Sequence, residues 1–529
     1  MRPKILIADP LAEPGPSLLR EVGEVVEKFK MGREELLEVV RDVDAIVVRS
    51  QTYITAEVIE AAPKLKVVAR AGVGVDNIDV DAATRRGVLV VNSPAGNTLA
   101  AAEHTIALLL AAARNIPQAY AEMRTGKFDR GKFTGRQVLG KTLGVVGFGR
   151  IGREVALRAK ALGMKVLACD PYVADERIVQ DGAKPVTLEE LLAQSDFVSL
   201  HVALREETKG MMGEAQFRAM KPTAIFINVA RGKLVDEAAL IRALREKWIA
   251  GAALDVFADD KNPSPELLAM PNVVATPHLG AATEEAQQQV ALDAAEQVVA
   301  VLQGRAARWA VNAPVLPPEA EEAVGSYLEL ARRLGAFAAG LATKLASRIT
   351  VAAGPQLSDE QVGLIARCAL AEYLRRLSGQ TVTYVNAVLA ARERGIEVAM
   401  MQAEALEGYQ RWATLLIEGD GARTRIGGAV LGDGLPRLVR LDDFVVDFVL
   451  RGRVLIMWHG QPGRPGFIGR VGTILGNAGI SITGIEVGLE PVDGVGLMLV
   501  SVEHPIPEEV LAELRAIEGV RHALVTDVG

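Results

Sequence analysis

The chain has 529 residues, 50% hydrophobic and 24% charged, with a formal net charge of −7. That length exceeds one compact core and predicts three or four domains at about 150 residues each. The acidic balance argues against nucleic acid as a partner, since phosphates need a concentrated basic surface. No apolar run of membrane-spanning length occurs, and the N-terminus MRPKILIADP lacks a signal-peptide core. Two cysteines, Cys169 and Cys368, exclude a disulfide framework or a cysteine-held metal, so a cytoplasmic protein without metal or membrane contact is expected.

From residue 1 to about 280, short apolar runs alternate with helical stretches. Strands are predicted at 4–8, 44–48, 65–69, 88–91, 142–147, 164–169, 196–200, 224–229, 251–256 and 272–277. Runs apolar throughout are buried on both faces, as in parallel sheets covered by crossover helices. Their number exceeds a single sheet and predicts two α/β units. Segment 98–115 reads as a helix apolar on nearly every face, to be buried between domains or in a subunit interface. It therefore predicts at least a dimer, as a homodimer or homotetramer. A helix at 287–303 stops near Gly304, and the proline-rich acidic stretch 311–322 reads as a linker. Long helices such as 326–346 follow, then β-like segments near 424–450. The last unit reads strand 453–458, helix 467–479, strands 480–488 and 496–503, helix 508–519 and strand 522–528. That βαββαβ order is ferredoxin-like.

Gly147-Phe148-Gly149-Arg150-Ile151-Gly152 matches G-x-G-x-x-G, between the strand TLGVV and a helix with Ile151, Val155, Ala159 and Leu162 on its apolar face. The next strand ends at Asp170. Glycines here permit a tight turn and close approach of a pyrophosphate, the helix N-terminus favours that anion, and the acid accepts from ribose hydroxyls. An acid at 170 repels a 2′-phosphate, so NAD is predicted over NADP.

Three polar positions follow apolar strands: Arg231, the loop with Asp259 and Asp260, and His278. Dehydrogenation of a hydroxy acid needs a base for the hydroxyl proton, a cation for the carboxylate and an acid that orients the base. Imidazole suits the base, because it titrates near neutrality. Taken alone, His278 also fits a packing histidine and Arg231 a surface arginine opening a loop.

NVARGKLVDEAAL, AGAALDVF and PHLGAAT, together with ARAGVGVDNID, SPAGNTLAAAEH and GKTLGVVGFGRIG, resemble the D-2-hydroxyacid dehydrogenases across residues 1–310. The resemblance implies an α/β fold, with a Rossmann NAD domain inserted in a flavodoxin-like substrate domain. It places Arg231 and His278 on the catalytic arginine and histidine. The cofactor contacts it implies are Gly147, Gly149, Arg150, Ile151, Gly152, Asp170, Ala230, Asp255 and Gly280. The family's catalytic glutamate falls on Asp260, in a loop reading FADDKNPSPELL where Glu-Glu-Pro is usual. Aspartate is one methylene shorter; Asp259 or Glu266 could substitute, although spacing favours Asp260. HVALREET also lacks the family's usual proline near Ala203.

Arg49 matches the substrate arginine of phosphoglycerate dehydrogenases, and Val73, Gly74 and Val75 resemble their carboxylate-holding turn. GKFDRGKF supplies Lys127, Arg130 and Lys132 and resembles a phosphate-holding segment that crosses a subunit interface; a solvated basic loop fits equally. TVTYVNAVLAARERGIEV and LPRLVRLDDFVVDF resemble the intervening domain of long phosphoglycerate dehydrogenases, an α+β unit. RPGFIGRVGTILGNAGISI resembles an ACT domain, a module that binds amino acids. L-Serine is the effector this implies. The stretch His459-Gly460-Gln461-Pro462-Gly463 replaces the family's polar residues, and Ser481 stands where asparagine is common. Serine inhibition and an ACT domain kept for assembly alone therefore both stand. Arg437 and Arg440 read either as a second anion site or as a solvated charged face.

The implied domains are 1–97 with 283–312 (substrate), 98–282 (NAD), 313–451 (intervening) and 452–529 (ACT). The implied reaction is oxidation of 3-phospho-D-glycerate (3-phosphoglycerate) to 3-phosphohydroxypyruvate with NAD, the first step of L-serine biosynthesis. Two rivals stand beside it. One is a dehydrogenase for an unphosphorylated acid such as glyoxylate or hydroxypyruvate; the other is an NAD- and amino-acid-binding sensor of impaired catalysis.

Overall fold

All ten apolar runs form strands in the computed structural model, which describes residues 2–315, 318–342, 344–379, 381–404, 406, 408–460, 465–489 and 494–529. Leu316 and Pro317 of the expected linker, Thr343 of the expected helix, and Gln461-Pro462-Gly463-Arg464 of the expected effector loop lie outside the described residues.

The first sheet is parallel and contains β1 (Lys4–Ile7), β2 (Glu24–Glu27), β3 (Ala45–Val48), β4 (Val67–Arg70) and β5 (Leu89–Asn92), ordered β2-β1-β3-β4-β5. This is the flavodoxin-like order. All of β3 is buried, as its unbroken apolar run requires. The second sheet, also parallel, contains β6 (Thr142–Val146), β7 (Lys165–Cys169), β8 (Lys184–Pro185), β9 (Phe197–Leu200), β10 (Ile225–Asn228), β11 (Gly251–Leu254) and β12 (Val273–Ala275). Its order, β12-β11-β10-β9-β6-β7-β8, reverses direction between β6 and β9 as in a Rossmann sheet.

The chain crosses from the first sheet to the second through the Thr98–Ala113 helix and comes back along the Glu284–Leu302 helix. Val290, Ala294 and Val298 of the latter share a core with Ile5, Val67 and Leu89. The Thr98–Ala113 helix packs on the Arg150–Ala161 helix and on β10 and β11. It buries Ala100–Ala102, Thr105, Leu108, Leu109 and Ala113, yet Leu99 stays 56% exposed. One chain thus covers a single face of this helix, not nearly every face as its composition suggested.

The third sheet contains β13 (Arg348–Ala353), β14 (Glu397–Gln402), β15 (Trp412–Gly419), β16 (Ala422–Val430), β17 (Pro436–Leu441) and β18 (Phe444–Val449), ordered β14-β13-β15-β16-β17-β18. β13 and β14 are parallel and the remaining pairs antiparallel. The Pro318–Leu341 and Asp359–Ser378 helices pack on each other and on this sheet. The first of these starts earlier and stops sooner than the 326–346 expectation. Arg437 is engaged by Asp433 at 2.7 Å and Asp447 at 2.8 Å, which neutralises it and counts against an anion site there.

The last sheet contains β19 (Arg453–His459), β20 (Ile482–Leu489), β21 (Gly496–Val502) and β22 (Val520–Asp527). Its antiparallel order β20-β21-β19-β22, with helices Phe467–Asn477 and Glu508–Arg515, is the ferredoxin-like arrangement. Among the described residues, no helix is long and apolar enough to cross a membrane, and no cluster of His, Cys, Asp or Glu could hold a metal ion.

Candidate active site

The polar residues of interest sit just past the carboxyl ends of β3, β4, β10, β11 and β12, where open α/β sheets place their ligands. His278 follows β12 in a left-handed conformation, φ 57°. Its N–H donates to the Asp255 carbonyl at 2.9 Å. Its Nδ1 lies 2.7 Å from Asp260 Oδ2. The other carboxylate oxygen, Oδ1, accepts from the Phe257 N–H at 2.7 Å, so the loop folds back far enough for the shorter side chain to reach. Burial works to raise the Asp260 pKa, but the bonds from His278 and Phe257 outweigh it and hold the group below the ordinary carboxylate range. An ionised carboxylate only accepts; Nδ1 therefore carries the proton and Nε2 presents a lone pair. The alternatives are engaged elsewhere. Asp259 accepts from the Lys261 N–H at 2.9 Å and Asn262 at 3.1 Å, and Glu266 pairs with Arg245.

Arg231 follows β10. Its Nε donates to Asp76 Oδ2 at 2.9 Å and its Nη1 to the Ala230 carbonyl at 2.7 Å. Asp76 belongs to the turn after β4, so this ion pair joins the two sheets across the cleft. A Cβ on Gly74 would lie 1.8 Å from Arg231 Nη2; only glycine lets the turn rest against the guanidinium. Asn92 Nδ2 pins the Val73 carbonyl at 2.6 Å. Among the described residues, the amides of Val73, Gly74 and Val75 meet no acceptor, which leaves them available to a carboxylate.

Arg49 is fixed through its backbone. Its N–H donates to Asp9 at 2.6 Å, and its carbonyl accepts from the buried Asn77 side chain at 2.8 Å. Sequence reasoning missed Arg70, which ends β4. Its Nη1 donates to the Ala71 carbonyl at 3.0 Å, while its Nε is buried with no partner among the described residues. Burial, then repulsion from Arg231 and Arg49, lowers its pKa to about 10, and it stays charged at neutral pH. The Arg231 and Arg49 guanidinium groups thus both act on Arg70.

Arg130 and Lys132 have local partners: Arg130 lies 5.6 Å from the Phe128 ring centre, and Lys132 pairs with Glu122. Within one chain, these contacts do not join them to the cleft.

The glycine loop fits a dinucleotide. Gly147 has φ 92°, and a Cβ there would lie 2.6 Å from the His201 carbonyl. A Cβ on Gly152 would lie 2.1 Å from the Gly147 carbonyl, whereas Gly149 faces open space at the start of the Arg150–Ala161 helix. Asp170 holds the loop by accepting from the Phe148 N–H at 2.7 Å and the Tyr172 N–H at 2.9 Å. Arg150 Nη1 reaches the Pro94 carbonyl at 3.3 Å, and Ile151 packs into the core beneath the loop. The Ala230 N–H donates to Asn228 Oδ1 at 3.0 Å. The Asp255 side chain has no exposed surface, and it accepts from the Gly280 N–H at 2.8 Å. Both residues support the turn that carries His278.

Residues 106–280 match the model of the D-isomer specific 2-hydroxyacid dehydrogenase NAD binding domain, 323–442 the D-3-phosphoglycerate dehydrogenase intervening domain, and 460–519 the ACT domain. A D-3-phosphoglycerate dehydrogenase of Archaeoglobus fulgidus is 42% identical, over 99% of this chain and 100% of its own. The chain belongs to the D-3-phosphoglycerate dehydrogenase family. A relative of that name from Methanocaldococcus jannaschii is 41% identical, again over 99% of this chain and 100% of its own. Among solved structures, the TT0316 protein of Thermus thermophilus is 38% identical, has a TM-score of 0.55, and covers 58% of this chain and 99% of its own. D-Lactate dehydrogenase from Aquifex aeolicus, complexed with NAD and lactic acid, is 29% identical at a TM-score of 0.53, covering 57% of this chain and 96% of its own. This chain is an NAD-dependent oxidoreductase, and the expected α/β catalytic fold with intervening and ACT units is borne out.

Proposed function

We propose that this protein oxidises 3-phospho-D-glycerate to 3-phosphohydroxypyruvate, the reaction that opens L-serine biosynthesis. One observation carries the reading: Arg70, whose buried Nε has no partner among the described residues, lies near enough to Arg49 and Arg231 for both to repel it, at the same strand ends as the His278–Asp260 pair. Such a cleft suits a substrate with two anionic groups and one hydroxyl. The names of the full-length relatives point the same way.

In this reading, Arg231 and the free amides of Val73 and Gly74 hold the carboxylate, and Arg49 and Arg70 hold the phosphate. His278 Nε2 takes the hydroxyl proton as the C2–H bond breaks and the carbonyl forms. Arg231, next to the carboxylate, stabilises the polarised carbonyl oxygen. Asp260 pairs with the imidazolium that results. NAD supplies the hydride acceptor when bound, and Gly147, Gly149, Gly152 and Asp170 shape its site.

The assembly belongs to the same proposal: a homodimer or homotetramer working in the cytoplasm. Leu99, Ile116, Tyr120 and Met123 expose apolar surface on two successive helices. Such a surface favours a second copy of the chain. Arg130 and Lys132 follow directly and would be delivered to the neighbouring cleft. L-Serine is the effector we assign to the ACT unit. For the domains, we propose 1–97 with 283–312, 98–282, 313–451 and 452–529; the Glu284–Leu302 helix in the core of the first sheet supports the first division.

Neutralising Arg49 and Arg70 tests the substrate. Each charge-assisted bond contributes about 1.5–3 kcal/mol, so Arg49→Met and Arg70→Met should each lower kcat/KM for 3-phosphoglycerate by about 10–100-fold. Turnover of D-glycerate should change little. Equal losses on both substrates would show that these arginines do not hold a phosphate.

A further inference from the structure

His104 takes no part in the proton transfer above, yet its side chain is committed to the loop that performs it. It lies on the Thr98–Ala113 helix, just after the chain leaves the first sheet. Its Nε2 is 3.1 Å from Asp255 Oδ1 and 3.0 Å from Thr276 Oγ1. Asp255 is fully buried at the end of β11. Its Oδ1 also accepts from the Thr276 hydroxyl at 2.6 Å and the Leu279 N–H at 2.7 Å, and its Oδ2 from the Gly280 N–H at 2.8 Å. Burial alone would raise the Asp255 pKa; the bonds from His104, Thr276 and Leu279 outweigh it and keep the group ionised. The carboxylate can only accept, and the Thr276 hydrogen already points at it. His104 Nε2 is therefore a donor, its N–H shared between the two oxygens.

Four donors converge on this carboxylate, and three of them come from the segment 276–280. They grip both sides of His278, whose own N–H donates to the Asp255 carbonyl at 2.9 Å. A left-handed conformation is uncommon for histidine and persists only where neighbours over-determine it. The fourth donor, His104, comes from a separate helix that also packs on the Arg150–Ala161 helix of the glycine loop. We infer that His104 is a positioning residue: through Asp255 it fixes the main chain around His278, so that Nε2 faces the substrate while Nδ1 stays on Asp260. This rests on the proton-transfer role proposed for His278. Without His104, Asp255 keeps its burial but loses one donor, and the grip on the catalytic turn loosens.

Two variants of the full chain separate positioning from general support. Leucine at 104 fills similar space but donates nothing, whereas the glutamine amide reaches as far as Nε2 and donates. His104→Leu should lower kcat by about 10–100-fold, the cost of a displacement on the order of 1 Å at the base. KM for the hydroxy acid and NAD affinity, read by quenching of tryptophan fluorescence, should stay within about twofold of wild type. His104→Gln should recover most of the lost kcat. Unchanged kcat in His104→Leu, a glutamine variant no better than leucine, or a kcat loss matched by lost NAD affinity would each overturn the inference. The ratios are read on whichever 2-hydroxy acid the wild type turns over, so failure of the 3-phosphoglycerate assignment and failure of the positioning role are separate results.

Discussion

At Asp260 the carboxylate sits one methylene nearer the backbone than the glutamate of its family, and its two oxygens divide between Phe257 N–H and His278. That division makes the loop, rather than side-chain length, responsible for the reach. Asp260→Ala should lower kcat by about 10²–10³-fold, as expected for a base that has lost its orienting partner. Asp260→Glu should also fall below wild type, because the longer chain cannot keep both bonds; initial rates of NADH formation measure both. The pH dependence follows from the depressed Asp260 pKa. A carboxylate lowered in the folded state is fully ionised above its unfolded value and protonates only as pH falls through the lower folded value. Mild acidification therefore leaves Asp260 ionised and its bond to His278 Nδ1 intact, and log kcat/KM should fall on a slope no steeper than about one. A slope of two in that range would mean that Asp260 protonates there, contrary to its lowered pKa.

Glycines set how closely the elements approach at the cleft. A Cβ on Gly232 would lie 1.8 Å from the Phe257 carbonyl, a backbone atom of the loop that carries Asp260. Gly232→Ala must push that loop away, and a loss of about 1–3 kcal/mol in stability is expected, read as a lower Tm. Gly74→Ala meets the Arg231 guanidinium instead and should raise KM for the hydroxy acid. Buried elements were legible in the sequence: every one of the ten apolar runs became a strand of a parallel sheet. β2 (EVVE) and β8 (KP) escaped because they are short edge strands, half solvated, and without an apolar signature. β13 and β14 escaped because each is a short run bounded by Arg348 or by Glu397 and Gln402, which periodicity cannot tell from a piece of buried helix. Arg231, Asp260 and His278 were legible from motif spacing. Arg70 was missed because it directly follows the run read as a strand at 65–69 and nothing local marks it as facing the cleft, and the role of Asp255 depends on donors at 104 and 276–280 that only the folded chain brings together.

The catalytic and intervening units are joined at the substrate side. Thr383 Oγ1 donates to the Gly87 carbonyl at 2.9 Å, and the buried Asn386 donates to the Arg85 carbonyl at 3.0 Å. Val385 packs into the core of the first sheet. A Cβ on Gly87, whose φ is 72°, would lie 2.7 Å from Thr383 Oγ1. These contacts close the C-terminal end of the Val80–Arg85 helix, whose N-cap Asp79 directly continues the turn carrying Gly74 and Asp76. Replacing Thr383 and Asn386 together by alanine should weaken docking by about 1–3 kcal/mol, two hydrogen bonds' worth. Thermal unfolding should then separate into two transitions; a single unshifted transition would show that the docking is incidental. The measurement that tests the central claim most directly is the rate of NADH formation by the wild-type chain at alkaline pH with 3-phosphoglycerate, D-glycerate and D-lactate. A site built around Arg49, Arg70 and Arg231 should favour the phosphorylated acid in kcat/KM by about a hundredfold or more. Equal or faster oxidation of either unphosphorylated acid would contradict it.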